Sequence, residues 1–176
     1  MPTIPEALVR AAETFGDAEA VVDGDVRLSW RELLDEVRTA ARFYIASGVE
    51  PGDRVAVWAP NTHHWVIAAL GAHYAGATLV PVNTRFTGHE ARDILLRTRA
   101  VALVVADEFL GTDRLAQLRA AGPTPELRTV LQVPSEWADL AARAGPVPVP
   151  EADTRAAAVR DDRPVEGRAV GPPAGG

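Results

Sequence analysis

The sequence predicts an α/β protein: an N-terminal β-hairpin followed by alternating helix–strand units that build a largely parallel sheet. Three observations carry this prediction. Apolar residues recur at helical spacing in several separate stretches, and short, nearly continuous apolar runs rich in Val, Leu and Ala stand between them. Strands that alternate with helices imply βαβ crossovers, whose parallel strands are covered on both faces and so lack the polar alternation of a surface strand. The chain has 176 residues, 47% of them apolar, which suits one core of ordinary size.

Each element has its own signal. Residues 3–15 (TIPEALVRAAETF) read as a short helix. Segments 19–23 and 26–30 read as a hairpin across Gly24-Asp25, a dipeptide that reverses a chain easily. Ser29 followed by Glu32 is a capping box that opens a helix, with Trp30, Leu33, Leu34, Val37, Ala41 and Tyr44 on one face. Gly48 ends it, because glycine enters a left-handed conformation without strain. Residues 54–59 form an apolar strand. Asn61 or Thr62 is then placed to cap a helix over 63–75, which is apolar almost all round and therefore expected between layers. Gly76 stops that helix before a strand at 78–82. Thr87 and Glu90 make a second capping box, opening a helix that runs to about residue 98. A strand at 101–106, a helix at 112–121, a strand at 129–133 and a short helix at 135–144 complete the pattern.

After Gly145 the pattern stops. PVPVPEAD favours an extended chain, because proline fixes φ and restricts the residue before it. Residues 151–176 hold Val159, Val165 and Val170 as their only large aliphatics. The expected organisation is one folded unit over 1–145 and an extended or disordered Pro/Gly-rich tail over 146–176.

Composition excludes several functions. The net charge of −6 argues against a nucleic-acid footprint. The absence of cysteine removes thiolate catalysis, disulfides and Cys-based zinc sites. No apolar stretch reaches the roughly 18 residues of a membrane span, and the N-terminus lacks a signal-peptide pattern, so a cytoplasmic protein without a membrane span is expected. All 18 basic residues are arginine, so no lysine is available as a phosphate clamp, Schiff base or general base.

Four groups are candidate sites. GAHYAGAT, residues 71–78, nearly spells a phosphate loop, but Ala77 stands where lysine should be. Its glycines also end a helix instead of opening one, so packing and capping are the expected roles. His63, His64, His73 and His89 lack a metal-ligand spacing; adjacent His63 and His64 point about 100° apart on a helix. Asp107-Glu108 follows an apolar strand, where ligands bind in open α/β sheets, although acidic residues also form ordinary turns. VPVNTR, residues 80–85, ends a strand in a similar place, which makes Asn83, Thr84 and Arg85 the candidate rim of a substrate pocket. No serine lies in a nucleophile elbow.

Three stretches together resemble a known family: LSWRELLDEVRTAARFYIASGVEPGDRVAVWAPN, WVIAALGAHYAGATLVPVNTRFTGHEARDILLRTRA and VALVVADEFLG. In order and spacing they resemble the opening of the AMP-forming acyl-CoA synthetases, the adenylate-forming superfamily. The resemblance covers residues 3–133 and extends less fully to 162. VNTRFTGHEARDILLRTRA and VADEFLGTD are most similar to actinobacterial fatty-acid or steroid-side-chain CoA ligases.

The resemblance implies a carboxylate activated by Mg-ATP to an acyl-adenylate, which CoA then captures. It also implies that the nucleotide machinery lies elsewhere. The family's Ser/Thr/Gly-rich phosphate loop normally follows a segment like 159–162, where this chain instead reads RPVEGRAVGPPAGG. Both family lysines are absent with every other lysine. No catalytic, cofactor-binding or metal-binding residue is therefore assigned. ATP, Mg and CoA are expected for the full-length family and no cofactor for this chain alone. The expected function is an N-terminal ligase fragment, inactive by itself. The alternative is a non-catalytic interaction module, or a split subunit completed by a separately encoded partner. Expected partners are the missing remainder of the synthetase, or a second copy through exposed apolar faces, with no nucleic acid. The closing RDDRPVEGRAVGPPAGG is expected to be a frameshifted or truncated end.

Overall fold

The computed structural model describes residues 2–149 and 151. Helix α1 (Ile4–Phe15) is followed by the antiparallel hairpin β1 (Glu19–Asp23) and β2 (Val26–Ser29). Then come α2 (Trp30–Ala46), β3 (Arg54–Trp58), α3 (His63–Tyr74), β4 (Thr78–Pro81), α4 (Gly88–Thr98) and β5 (Ala102–Ala106). A small hairpin, β6 (Glu108–Phe109) with β7 (Thr112–Asp113), precedes α5 (Arg114–Ala121) and β8 (Thr129–Val133). A 3-10 turn at Trp137–Asp139 leads into the short α6 (Leu140–Ala144).

The predicted α/β class is what the chain forms. The four strands β4-β3-β5-β8 lie in that order and are all parallel. Alternate residues of each strand serve opposite faces. Val55 and Val57 of β3 join α1, α2, α3 and α6 in one core, while Ala56 and Trp58 join α4 and α5 in another. The chain leaves β3 to one side to form β4 and returns on the other side to form β5. That reversal is a topological switch, the place where the carboxyl ends of adjacent strands part and leave room for a ligand.

Local chemistry accounts for the helix ends. Both expected capping boxes form: Ser29 with Glu32 and Thr87 with Glu90. Thr3 and Glu6 make a third at α1. Gly71 and Gly76 have the structural roles expected of them. A Cβ on Gly71 would lie 2.6 Å from the Ala40 Cβ, so α2 and α3 cross where only glycine fits, and Gly76 turns the chain at φ +79°.

Three local expectations are corrected. Residues 112–121 are not one helix: Thr112 and Asp113 pair with Phe109 and Glu108, and Asp113 then caps α5 through its carboxylate to the Ala116 N–H, 2.8 Å. Thr62 stands at the start of α3 but makes no side-chain cap; the Asp23 carboxylate accepts from the His63 N–H instead, 2.9 Å. Ser135 and Glu136 form a turn, so the last helix begins later than expected, after the 3-10 turn. Of the expected tail, residues 147–149 carry no helix or strand, and the reading of 152–176 lies outside the described residues. Among the described residues no helix is long and apolar enough to cross a membrane.

Candidate functional site

The candidate rim lies where β4 ends, at the carboxyl edge of the sheet. Val82 continues the strand, its N–H donating to the Val57 carbonyl at 3.0 Å, and the chain then turns at Asn83. The Asn83 side chain accepts from the Arg85 N–H at 2.9 Å, and its carbonyl accepts from the Phe86 N–H at 3.0 Å. Asn83 thus folds the segment back toward α4 by bonding its own backbone two and three residues on. The Asn83 and Arg85 side chains are exposed and Thr84 is half-buried, so all three are at the surface as a rim requires.

Two residues that the sequence did not single out hold this loop. Trp58, at the end of β3, is buried and donates its indole N–H to the Asn83 carbonyl at 3.0 Å. Arg114, at the start of α5, is only 7% exposed. It donates Nη2 to the Thr84 carbonyl at 2.8 Å and Nη1 to the Phe86 carbonyl at 3.4 Å and the Gln117 Oε1 at 3.1 Å. Its guanidinium carbon is 5.4 Å from the ring centres of both Trp58 and Phe109, within cation–π range. Nothing local marks Arg114 for burial; its surroundings come from β3, β6 and the loop 30 residues earlier.

The other candidates separate. The Asp107 carboxylate accepts from the Ser135 N–H and hydroxyl, at 2.8 and 2.6 Å, and so fastens the turn after β8. Glu108 belongs to the β6–β7 hairpin and is exposed, so the two carboxylates form no acid–base pair facing one ligand. Among the described residues no group of three His, Asp or Glu is placed to hold a metal. His63 is bound to Asp23 through Nδ1 at 2.7 Å. The His63 N–H, with the ring behind it, holds the Asp23 carboxyl below its usual range. His64 stacks beside His63 and meets the edge of Trp137. Burial pushes the imidazoles of His64 and His73 toward the neutral form.

Two hollows lie away from the rim. A hollow of 400 Å³ lies between the first hairpin, α2 and the region of Trp137, and one of 490 Å³ lies between α1, Arg38 and Tyr74. Neither is lined by Asn83, Thr84 or Arg85. What the rim offers is an ordered, exposed loop at a topological switch, with the exposed Arg85 guanidinium beside the start of α4.

Residues 8–166 match the family model described as AMP-binding enzyme. The chain is 54% identical to a 3-[(3aS,4S,7aS)-7a-methyl-1,5-dioxo-octahydro-1H-inden-4-yl]propanoyl:CoA ligase of Rhodococcus jostii, over 91% of this chain and 33% of that protein. It is 50% identical to the ligase of the same name from Mycobacterium tuberculosis, over 78% of this chain and 27% of that protein. Among solved structures, the N-terminal domain of FACL13 from Mycobacterium tuberculosis superposes with a TM-score of 0.73 at 25% identity, over 86% of this chain and 38% of that one. The chain spans about a third of the length of the curated relatives it matches.

Proposed function

The chain belongs to the AMP-binding enzyme family, and from that membership we infer that it is the N-terminal part of an ATP-dependent acyl-CoA ligase. The acid we propose for the whole enzyme is a propanoate carried on a fused bicyclic ring. The observation that carries this reading is the 54% identity, over nearly the whole chain, to a ligase named for such an acid. The second relative, at 50%, has the same name.

In the whole ligase the acid's carboxylate attacks the α-phosphorus of ATP, forming an acyl-adenylate and releasing pyrophosphate. The CoA thiol then displaces AMP. Negative charge builds on the phosphates in the first step, which calls for fixed donors and a metal at that point. These residues do not fit that task. They include no lysine, and among the described ones no three-ligand cluster for magnesium. The role proposed for this part is to build one wall of the enzyme: Asn83, Thr84 and Arg85 form the rim on the acid's side, and the remainder of the ligase closes the pocket over it.

By themselves these 176 residues are therefore predicted not to adenylate an acid. The check is carboxylate-dependent exchange of labelled pyrophosphate into ATP by the purified chain. No exchange above the enzyme-free rate is expected; exchange that depends on added acid would overturn the assignment of nucleotide chemistry to other residues.

A further inference from the structure

We propose that Arg114 is a positioning residue whose buried guanidinium sets the conformation of the rim loop 83–86. The inference rests on the functional reading only for the word rim; the contacts stand without it.

Burying a charge is costly unless it is paired or fully hydrogen-bonded. Among the described residues, Arg114 is buried with no carboxylate against it: its acceptors are the Thr84 and Phe86 carbonyls and the Gln117 amide oxygen. Its Nε is buried and has no hydrogen-bond partner among the described residues. A Leu or Met between the rings of Trp58 and Phe109 would fill apolar space without that desolvation. What an aliphatic side chain cannot do is fasten two carbonyls of one loop in a fixed fork, which the planar guanidinium does.

The loop is bracketed from the same helix. Gly88, two residues after Phe86, lies so close to α5 that a Cβ there would fall 2.2 Å from the Gln117 carbonyl oxygen. Gln117 in turn accepts from Arg114. The first turn of α5 thus meets the loop through Arg114 and its continuation through Gln117, while Trp58 holds Asn83 from the sheet. Two separate elements, α5 and β3, converge on a four-residue loop whose outward side chains remain exposed. That arrangement orders the loop while leaving its outer surface open to a ligand.

The test uses the full 176-residue chain and amide and indole hydrogen exchange resolved by NMR, with the Trp58 indole signal assigned by its loss in Trp58→Phe. Arg114→Ala is expected to raise exchange at the Trp58 indole and the Arg85 and Phe86 amides at least tenfold, with strand β5 unchanged. Guanidinium chloride at a concentration well below denaturing should restore much of that protection in Arg114→Ala, and sodium chloride at equal ionic strength should not. Arg114→Lys should remain unprotected, because an ammonium lacks the fork. A purely space-filling role predicts no guanidinium rescue, and that result would overturn the proposal, as would unchanged exchange in Arg114→Ala. Should Arg114→Ala fail to fold, Gln117→Leu decides: faster exchange confined to the same three sites supports the proposal, and none contradicts it. Because the readout is loop order in this chain, it stays decisive even if the ligase assignment fails.

Discussion

Among the described residues, α1, α2, α3 and α6 enclose 27 buried residues on one face of the parallel sheet; on the other, α4 and α5 enclose ten. The first face packs tightly at its centre, down to the Gly71–Ala40 crossing and the buried Tyr44 hydroxyl donating to the Ala68 carbonyl at 3.1 Å, and its two hollows lie at the margins, by the first hairpin and by α1. The second stays open beyond α5, where Leu115, Leu118, Leu127 and Val130 line a hollow of 440 Å³. The exposed candidate rim loop, and the buried arginine hydrogen-bonded to it, belong to the open face. The difference separates two tasks of one sheet. The closed face supplies the cohesion that makes the chain fold, and the open face presents ordered backbone at the carboxyl edge.

Truncating one side chain on each face would test this most strongly. Leu33→Ala, within the core of the first face and away from its hollows, is expected to cost about 4 kcal/mol, because the surrounding side chains cannot collapse into the void. Leu118→Ala is expected to cost about 2 kcal/mol, because its void adjoins a hollow already open at the surface. Urea unfolding of both variants measures the gap; equal costs would break the distinction between the faces.

A smaller effect concerns the Tyr44 hydroxyl, sealed within the closed face. Tyr44→Phe leaves the Ala68 carbonyl without this partner and is expected to cost about 1–2 kcal/mol. Burial also pushes the Tyr44 phenol's pKa upward, so it stays protonated and donating across the working range.

Acid should act on the closed face more gently. His64 and His73, both on α3, have imidazole pKa values pushed below the ordinary 6.5 by burial, and His64 also by the His63 charge. As pH falls through 6.5 the unfolded chain takes up these protons first, so stability is full above that value and declines toward the lower folded values. Asp23 adds the carboxylate case: its folded pKa lies below 3.8, so its contribution holds above that value and is lost as pH falls through the folded one. Melting temperatures from pH 8 to 5.5 should fall, and the His64→Gln/His73→Gln double variant should flatten the decline. An unchanged slope in that variant would place the effect elsewhere.

What was legible in the sequence was local or periodic. The Ser29–Glu32 and Thr87–Glu90 boxes lie within four residues, and the buried strands announce themselves as apolar runs. Asn83, Thr84 and Arg85 could be placed at the end of a strand because strand ends are visible in the sequence. What was hidden depends on distant partners. The cap of α3 comes from Asp23, forty residues earlier, so Asn61 or Thr62 looked like the cap although the Thr62 side chain caps nothing there. The β6–β7 hairpin is two residues on each side, too short for any period. Arg114 reads as an ordinary helix arginine until the fold brings Trp58, Phe109 and the rim around it.

The central proposal is that this chain serves as the N-terminal part of a CoA ligase, interchangeable with the matching part of a relative. The most direct measurement replaces the matching segment of the Rhodococcus jostii relative with residues 8–149 of this chain and assays acyl-CoA formation from that ligase's own acid. We predict that the chimera folds and keeps activity within about tenfold of the parent, a change of about 1.4 kcal/mol in the barrier. A chimera that folds, binds ATP and forms no acyl-adenylate would contradict the claim.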